Sequence, residues 1–215
     1  VYKRQELIDA KQLSDLKIFG IVLNYPDDIR KSNKELKYQE EMDFLVGHHP
    51  RNKFIRNMVL SQARNTLVLF QYVEKHGKIL YDMINDKNSD RKVFFVYGGT
   101  DTSDREAIRH ITEGEDDAII IASFGTFSTG INIPSIENVI FASPSKSKIR
   151  NLQSIGRGLR LKKGKTHCNL DDMADDLHWK SWKNHTLNHA AERYKTYAEE
   201  QFETKLVEVN LCPTT

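Results

Sequence analysis

Apolar residues in this chain fall into short unbroken runs, and the stretches between them carry their apolar residues at helical spacing. IFGIVLNY (18–25) is a buried-type strand closed by Pro26. The segment 34–46 is highly charged, with Leu36, Met42 and Leu45 as its apolar positions, and residues 52–63 follow as a helix with Phe54, Ile55, Met58 and Val59 on one face. From there strand and helix alternate. TLVLFQYV (66–73) is a strand and 78–84 a helix, KVFFVYGG (92–99) a strand, and 104–112 a helix with Thr102 or Ser103 as N-cap. AIIIAS (118–123) and ENVIFASP (137–144) are strands again. Apolar strands without polar alternation, separated by helices, predict an α/β fold: a parallel sheet with helices on both faces. Ligands gather at the carboxyl ends of the strands in such sheets. Gly98-Gly99, 123–130 and 143–147 fall at those ends and are candidate contact loops. In the tail, Leu187, Ala191, Tyr194, Ala198 and Phe202 recur at helical spacing, and LVEVNL (206–211) reads as a last short strand. The expected organisation is a head at 1–15, a main domain at 16–174 and a small helical C-terminal extension at 175–215.

With 215 residues, 39% hydrophobic and 29% charged, the chain is long enough to bury one ordinary core and reads as soluble. The net charge of +2 conceals a local asymmetry. Residues 146–165 hold eight Lys or Arg and no acid, whereas EGEDD (113–117) and DDMADD (171–176) are acidic. Cys168 and Cys212 are far apart and give no disulfide framework, as expected in a reducing, cytoplasmic interior. No apolar run reaches membrane length and no signal peptide is seen. The polar stretch 1–15, which begins at Val1, reads as a linker from a preceding domain.

The basic region contains SKIRNLQSIGRGLRL (147–161). On a helix, Arg157 falls about 40° to one side of Gln153 and Arg160 about 20° to the other, with Ile149, Leu152, Ile155 and Leu159 behind them. Gly156 and Gly158 each cost about 1 kcal/mol inside a helix relative to alanine, which suits close approach of a ligand. Two forked guanidiniums on one face match phosphate oxygens. A solvated basic face with a C-cap at Gly158 explains the same residues.

The string from Gln153 to Arg160 has the form Q-x-x-G-R-x-x-R and resembles motif VI of superfamily 2 helicases. Upstream, TFSTGINIP (126–134) resembles motif V of the same enzymes at the expected separation. The resemblance implies a RecA-like fold, the second motor domain of an ATP-dependent helicase. It implies Arg160 as arginine finger, Arg157 as a second phosphate contact, and Gln153 positioning water or the γ-phosphate. Gly130 and Asn132 would lie at the nucleotide, although many members carry an acid where Asn132 stands. Ser128 and Thr129 would touch the nucleic-acid backbone, as would Gly98, Gly99 and Thr100 in YGGTDTSDREAIR (97–109), where capping explains the hydroxyls as well. Lys162, Lys163 and Lys165 extend the basic patch toward DNA. Branched DNA and RNA–DNA hybrids are the implied substrates, in recombination and repair.

No Walker A loop occurs: GLRLKKGKT (158–166) has one residue too many, and DDLH (175–178) is no DExx box. The expectation is that ATP and Mg2+ are bound mainly by a preceding RecA-like domain and that this chain alone is inactive. Trp179, Lys180, Trp182, Lys183 and His185 could stack bases or pack on the domain; His185 and His189 lack the Glu of a zinc motif. The rivals are a double-strand translocase that does not unwind, and a non-enzymatic nucleic-acid-binding module. A small-molecule kinase or dinucleotide enzyme lacks a phosphate loop after the first strand.

Overall fold

The computed structural model describes residues 15–88, 90–130, 133, 135–146 and 167–211. Its elements run β1 (Asp15–Asn24), α1 (Asp27–Ser32), α2 (Tyr38–Gly47), α3 (His49–Ser61) and β2 (Thr66–Phe70), then a π-turn at Val73–Gly77 leading into α4 (Lys78–Lys87). β3 (Val93–Val96), α5 (Thr102–Gly114), β4 (Ile119–Ser123), α6 (Phe124–Gly130) and β5 (Asn138–Phe141) follow. The chain closes with β6 (His167–Asp176), α7 (His185–Glu199) and β7 (Glu203–Asn210).

The seven strands form one sheet in the order β3-β4-β2-β5-β6-β1-β7, and every pairing is parallel. Because side chains alternate along a strand, each apolar run feeds two cores. Leu67 and Leu69 of β2 join Ile120, Phe141 and Leu170 beneath Phe124 and Phe127 of α6 and Tyr197 of α7. Val68 and Phe70 join Ile121, Ile140 and Met173 beneath Leu45 of α2, Ile55 and Val59 of α3, and Leu80 and Ile84 of α4. This is the parallel sheet covered on both faces that the strand composition predicts, in keeping with the RecA-like fold that the resemblance implies.

Several local expectations shift. The charged segment 34–46 turns into α2 from Tyr38 on, and Met42, Leu45 and Val46 of that helix are buried. α5 starts at Thr102 with Asp101 as N-cap, ahead of the Thr102 or Ser103 cap expected. The acidic run 171–176 is not a solvated stretch but the inner strand β6, so the boundary expected at 174/175 falls inside a strand. Tyr194 and Phe202 of the expected stripe pack against the first core, but the fully buried face of the tail helix is a different one. Thr186, Ala190, Arg193, Thr196 and Tyr197 are buried, whereas Ala191 and Ala198 face solvent. β7 pairs with β1 from Lys17↔Glu203 to Asn24↔Asn210. Gly20 makes this edge possible: a Cβ there would come within 2.6 Å of Leu206 Cδ2 and 2.8 Å of the Tyr194 ring.

Candidate functional site

The order β3-β4-β2-β5 sets the carboxyl ends of four strands side by side. Beyond β3, the Thr100 N–H donates to Tyr97 O (3.0 Å) and the Tyr97 N–H to Thr100 Oγ1 (3.0 Å), closing a tight turn. Arg105 of α5 braces it from below through Gly98 O (3.0 Å). The Thr100 hydroxyl thus serves the turn first. Gly98 and Gly99 stand exposed at its tip, and no atom lies within 4 Å of the position a Cβ would take at Gly98. Open backbone of this kind can be approached closely by a phosphate.

Beyond β4 the chain enters α6 at once. Ser123 Oγ accepts the Thr126 N–H (3.3 Å) and donates to Thr126 Oγ1 (2.8 Å), a cap built from side-chain oxygen. Phe124 and Phe127 are buried in the core. The chain therefore turns at Ser123, and Ser128, Thr129 and Gly130 finish the short helix. Asn132 lies outside the described residues, as do Gln153, Arg157, Arg160, Lys162, Lys163 and Lys165.

Beyond β5 the chain is gripped through polar groups. Ser143 Oγ accepts the Gln71 N–H from the end of β2 (3.0 Å) and meets His76 Nδ1 at 2.7 Å. His76 Nε2 lies 3.2 Å from Asn52 Oδ1, while Asn52 Nδ2 donates to Val46 O (2.8 Å). Burial first, and the Arg51 guanidinium second, push the His76 pKa well below its ordinary value. The ring is therefore neutral, and its partners assign the proton to Nε2. Two residues on, Ser145 O accepts from Arg193 Nη1 (3.1 Å).

Arg193 belongs to a charged layer that sequence reasoning missed. Its Nε and Nη2 hold both carboxylate oxygens of Asp172 at 2.8 Å, and Nη2 also reaches Met173 O (3.0 Å). Tyr197 Oη donates to Asp172 Oδ2 (2.9 Å). On the other face of β6, Arg51 Nε and Nη2 hold Asp175 (2.7 and 3.0 Å), and Tyr25 Oη donates to the same carboxylate (2.8 Å). Among the described residues the Asp171 carboxylate accepts from Gln62 Nε2 (3.0 Å), and burial raises its pKa to about 7. Glu41 of α2, fully buried, accepts the His185 and Thr186 N–H groups (both 2.8 Å) and so caps α7 from another helix. No local sequence signal marks these partners, because each acid and its base lie on different elements.

Trp179 and Trp182 exchange two backbone hydrogen bonds of 3.0 Å, and Trp182 packs on the second core. The rings of His185 and His189 contact Tyr38 (centroids 6.1 and 5.4 Å). Among the described residues no group of three or more His, Cys, Asp or Glu could hold a metal ion.

Comparison with known proteins agrees with this geometry. Residues 50–162 match the helicase conserved C-terminal domain. The ATP-dependent DNA helicase UvsW of Enterobacteria phage T4 is 36% identical over 96% of this chain, which spans 43% of that protein. The crystal structure of T4 UvsW superposes with a TM-score of 0.80 at 34% identity, covering 93% of this chain and 42% of that one. The ATP-dependent type ISP restriction-modification enzyme LlaBIII bound to DNA shares the fold at a TM-score of 0.62 and 15% identity, over 95% of this chain and 16% of that one. The match covers more than half of the sequence, and the chain belongs to the family of helicase conserved C-terminal domains.

Proposed function

We propose that this chain is the second half of the motor of an ATP-dependent helicase that acts on branched DNA or RNA–DNA hybrids in recombination and repair, in the cytoplasm of a phage host. The observation that carries the reading is the carboxyl edge. The turns after β3, β4 and β5 lie on one side of the sheet, and the basic segment bearing Gln153, Arg157 and Arg160 continues from the last of them. In this reading a preceding RecA-like domain holds ATP and Mg2+. The described carboxylates of β6 support that division, because Asp172 and Asp175 are already committed to Arg193, Arg51 and tyrosine hydroxyls.

ATP binding between the two domains draws them together. Arg160 then meets the charge that spreads over the transferred phosphoryl group, Arg157 supplies a second contact, and Gln153 orients water. Gly130 and Asn132 lie against the nucleotide. Gly98, Gly99, Thr100, Ser128 and Thr129 meet the strand backbone, with Lys162, Lys163 and Lys165 adding salt-sensitive attraction. Hydrolysis reopens the cleft, and alternating grips by the two domains move the strand.

The test compares DNA-stimulated ATP hydrolysis by this chain and by the full-length protein. The chain alone should be silent and the longer form active. Arg160→Ala in the longer form should lower turnover about a thousandfold or more while sparing DNA binding. Undiminished turnover would remove the finger assignment, and hydrolysis by the isolated chain would overturn the reading.

A further inference from the structure

Residues 177–184, between β6 and α7, form a closed loop. Its base is shut by the buried Asn184, whose Oδ1 accepts the Leu177 N–H (3.1 Å) and whose Nδ2 donates to Asp175 O (3.0 Å). Its neck is the pair of backbone hydrogen bonds between Trp179 and Trp182 (3.0 Å each), and Trp182 is anchored on the second core. Lys180 and Ser181 stand beyond the neck, both exposed, and Lys183 is exposed beside it. The tryptophans thus build the loop, and its tip is left to a lysine.

That lysine is held in a costly conformation. Lys180 has φ 55°, which a primed two-residue turn requires at its first central position and which glycine, asparagine and aspartate adopt more readily. Among the described residues the other non-glycine positions of positive φ, Glu35, Arg64 and Gln201, each follow the end of a helix. A glycine at 180 would close the same turn with less strain, so what lysine adds is a cation at a fixed point. The charge around it is one-sided. From Leu177 to Ala191 the chain carries two lysines, three histidines and no acid. At the foot of the loop Asp176 is engaged by His178 (2.5 Å), and Glu41 is taken up by the cap of α7. The adjoining α1, which starts just past the register pair Asn24↔Asp176, is balanced, with Asp27 and Asp28 against Arg30 and Lys31.

We infer that the loop 177–184 is a second DNA contact, in which Lys180 and Lys183 bind the phosphate backbone of a further duplex arm of a branched substrate. The loop lies on the same edge of the sheet as the turn at Gly98-Gly99, but from β3 to β6 the sheet runs through four strand spacings, about 19 Å. A phosphate held at Gly98 is therefore out of reach of Lys180, and a separate arm is what can occupy both places. A single cation on a rigid tip suits a phosphate, and contacts of that kind fix orientation without reading sequence. The inference rests on the helicase reading proposed above and adds to it a surface that orients the branch.

The experiment uses the full-length protein and two probes, a forked DNA with duplex arms and a short single strand. Lys180→Gly combined with Lys183→Ala should weaken fork binding about tenfold or more at 0.1 M salt and lower the slope of log Kd against log salt by about 1.8, since each duplex phosphate contact contributes about 0.9. Lys183→Ala alone should give about half that change in slope. Binding of the single strand, and kcat for ATP hydrolysis at saturating single strand, should stay within about twofold. The melting temperature should not fall, because glycine suits the turn. As a control, Lys87→Ala with Lys205→Ala removes two exposed lysines of α4 and β7 and should leave the slope for the fork unchanged. Wild-type fork binding in the loop variants would overturn the inference, as would a loss matched by the control pair or shared equally by the single strand. If the wild-type protein shows no DNA-stimulated ATP hydrolysis, the helicase reading itself fails; if it hydrolyses ATP and the loop variants bind the fork normally, only the loop assignment fails.

Discussion

The two halves of the sheet are held together by different physics. In β2, β4 and β5 nearly every residue is apolar and all are buried, so β3-β4-β2-β5 is bound by transfer of hydrocarbon out of water. Many neighbours share that work, and no single partner is indispensable. In β6 three carboxylates are buried beside Leu170, Met173 and Ala174, and each relies on named partners from elsewhere: Arg193 on α7, Arg51 on α3, Tyr25 after β1 and Gln62 after α3. An apolar strand tolerates any residue of similar shape. A charged inner strand tolerates only changes that keep each charge matched.

The largest effect should come from unmatching one of those charges. Arg51→Ala leaves Asp175 buried with Tyr25 alone and should destabilise the chain by about 3–5 kcal/mol in urea unfolding. The triple replacement Tyr25→Phe, Arg51→Met, Asp175→Leu converts that part of β6 to the chemistry of β2 and should recover most of the loss. Recovery would show that matching matters rather than charge as such; a triple variant as weak as Arg51→Ala would break the comparison.

Next in size is a pH effect carried by Asp171 of β6. With its pKa pushed by burial from an ordinary 3.8 up to about 7, Asp171 binds a proton more readily in the folded than in the unfolded chain. Between about pH 4 and pH 7 folding therefore takes up a proton, and stability should fall as pH rises, by at most about 1.4 kcal/mol per pH unit from this group. Asp171→Asn should flatten that slope in unfolding curves taken across the window. Among the described residues the strands β2, β3, β4 and β5 hold no carboxylate.

The apolar half should instead fail sterically. At Gly77 an added Cβ would meet the Phe70 ring at 2.5–2.8 Å, and Phe70 is fully buried and stacked on Phe95. Gly77→Ala should cost about 1–3 kcal/mol through overpacking, read as a lower melting temperature. The smallest effect belongs to a shape-conserving loss in the same region: Ile121→Val should cost only about 0.5–1.5 kcal/mol.

The same contrast decided what could be read from the sequence. TLVLF, VFFV, IIIAS and NVIF announce buried parallel strands because the information is local. β6 was hidden, since an acidic run in isolation looks solvated and the residue that neutralises Asp175 lies 124 positions away. The stripe of α7 was legible only at Tyr194 and Phe202, which pack on the core, for a related reason: Arg193 sits at the centre of its buried face, where periodicity counts only apolar residues. At the candidate site the Gly98-Gly99 turn was legible from its glycines. The grip of His76 and Arg193 on Ser143 and Ser145 was not, because it is made by hydrogen bonds between four separate elements.

The position of β1 also bears on how the domain comes into being on the ribosome. Of the seven described strands β1 is made before the others, yet its two neighbours, β6 and β7, are made after them. The hydrophobic block β3-β4-β2-β5 can assemble as it is made, while β1 waits with both edges open and β5 presents an unpaired flank. Such edges invite pairing with another chain. A nascent or truncated product that stops before Glu203 keeps one of them open permanently. Pairing of β7 replaces the apolar edge of β1 by the edge of a strand with more charged and polar residues, and holdase chaperones that bind extended segments would have their longest opportunity at residues 15–24.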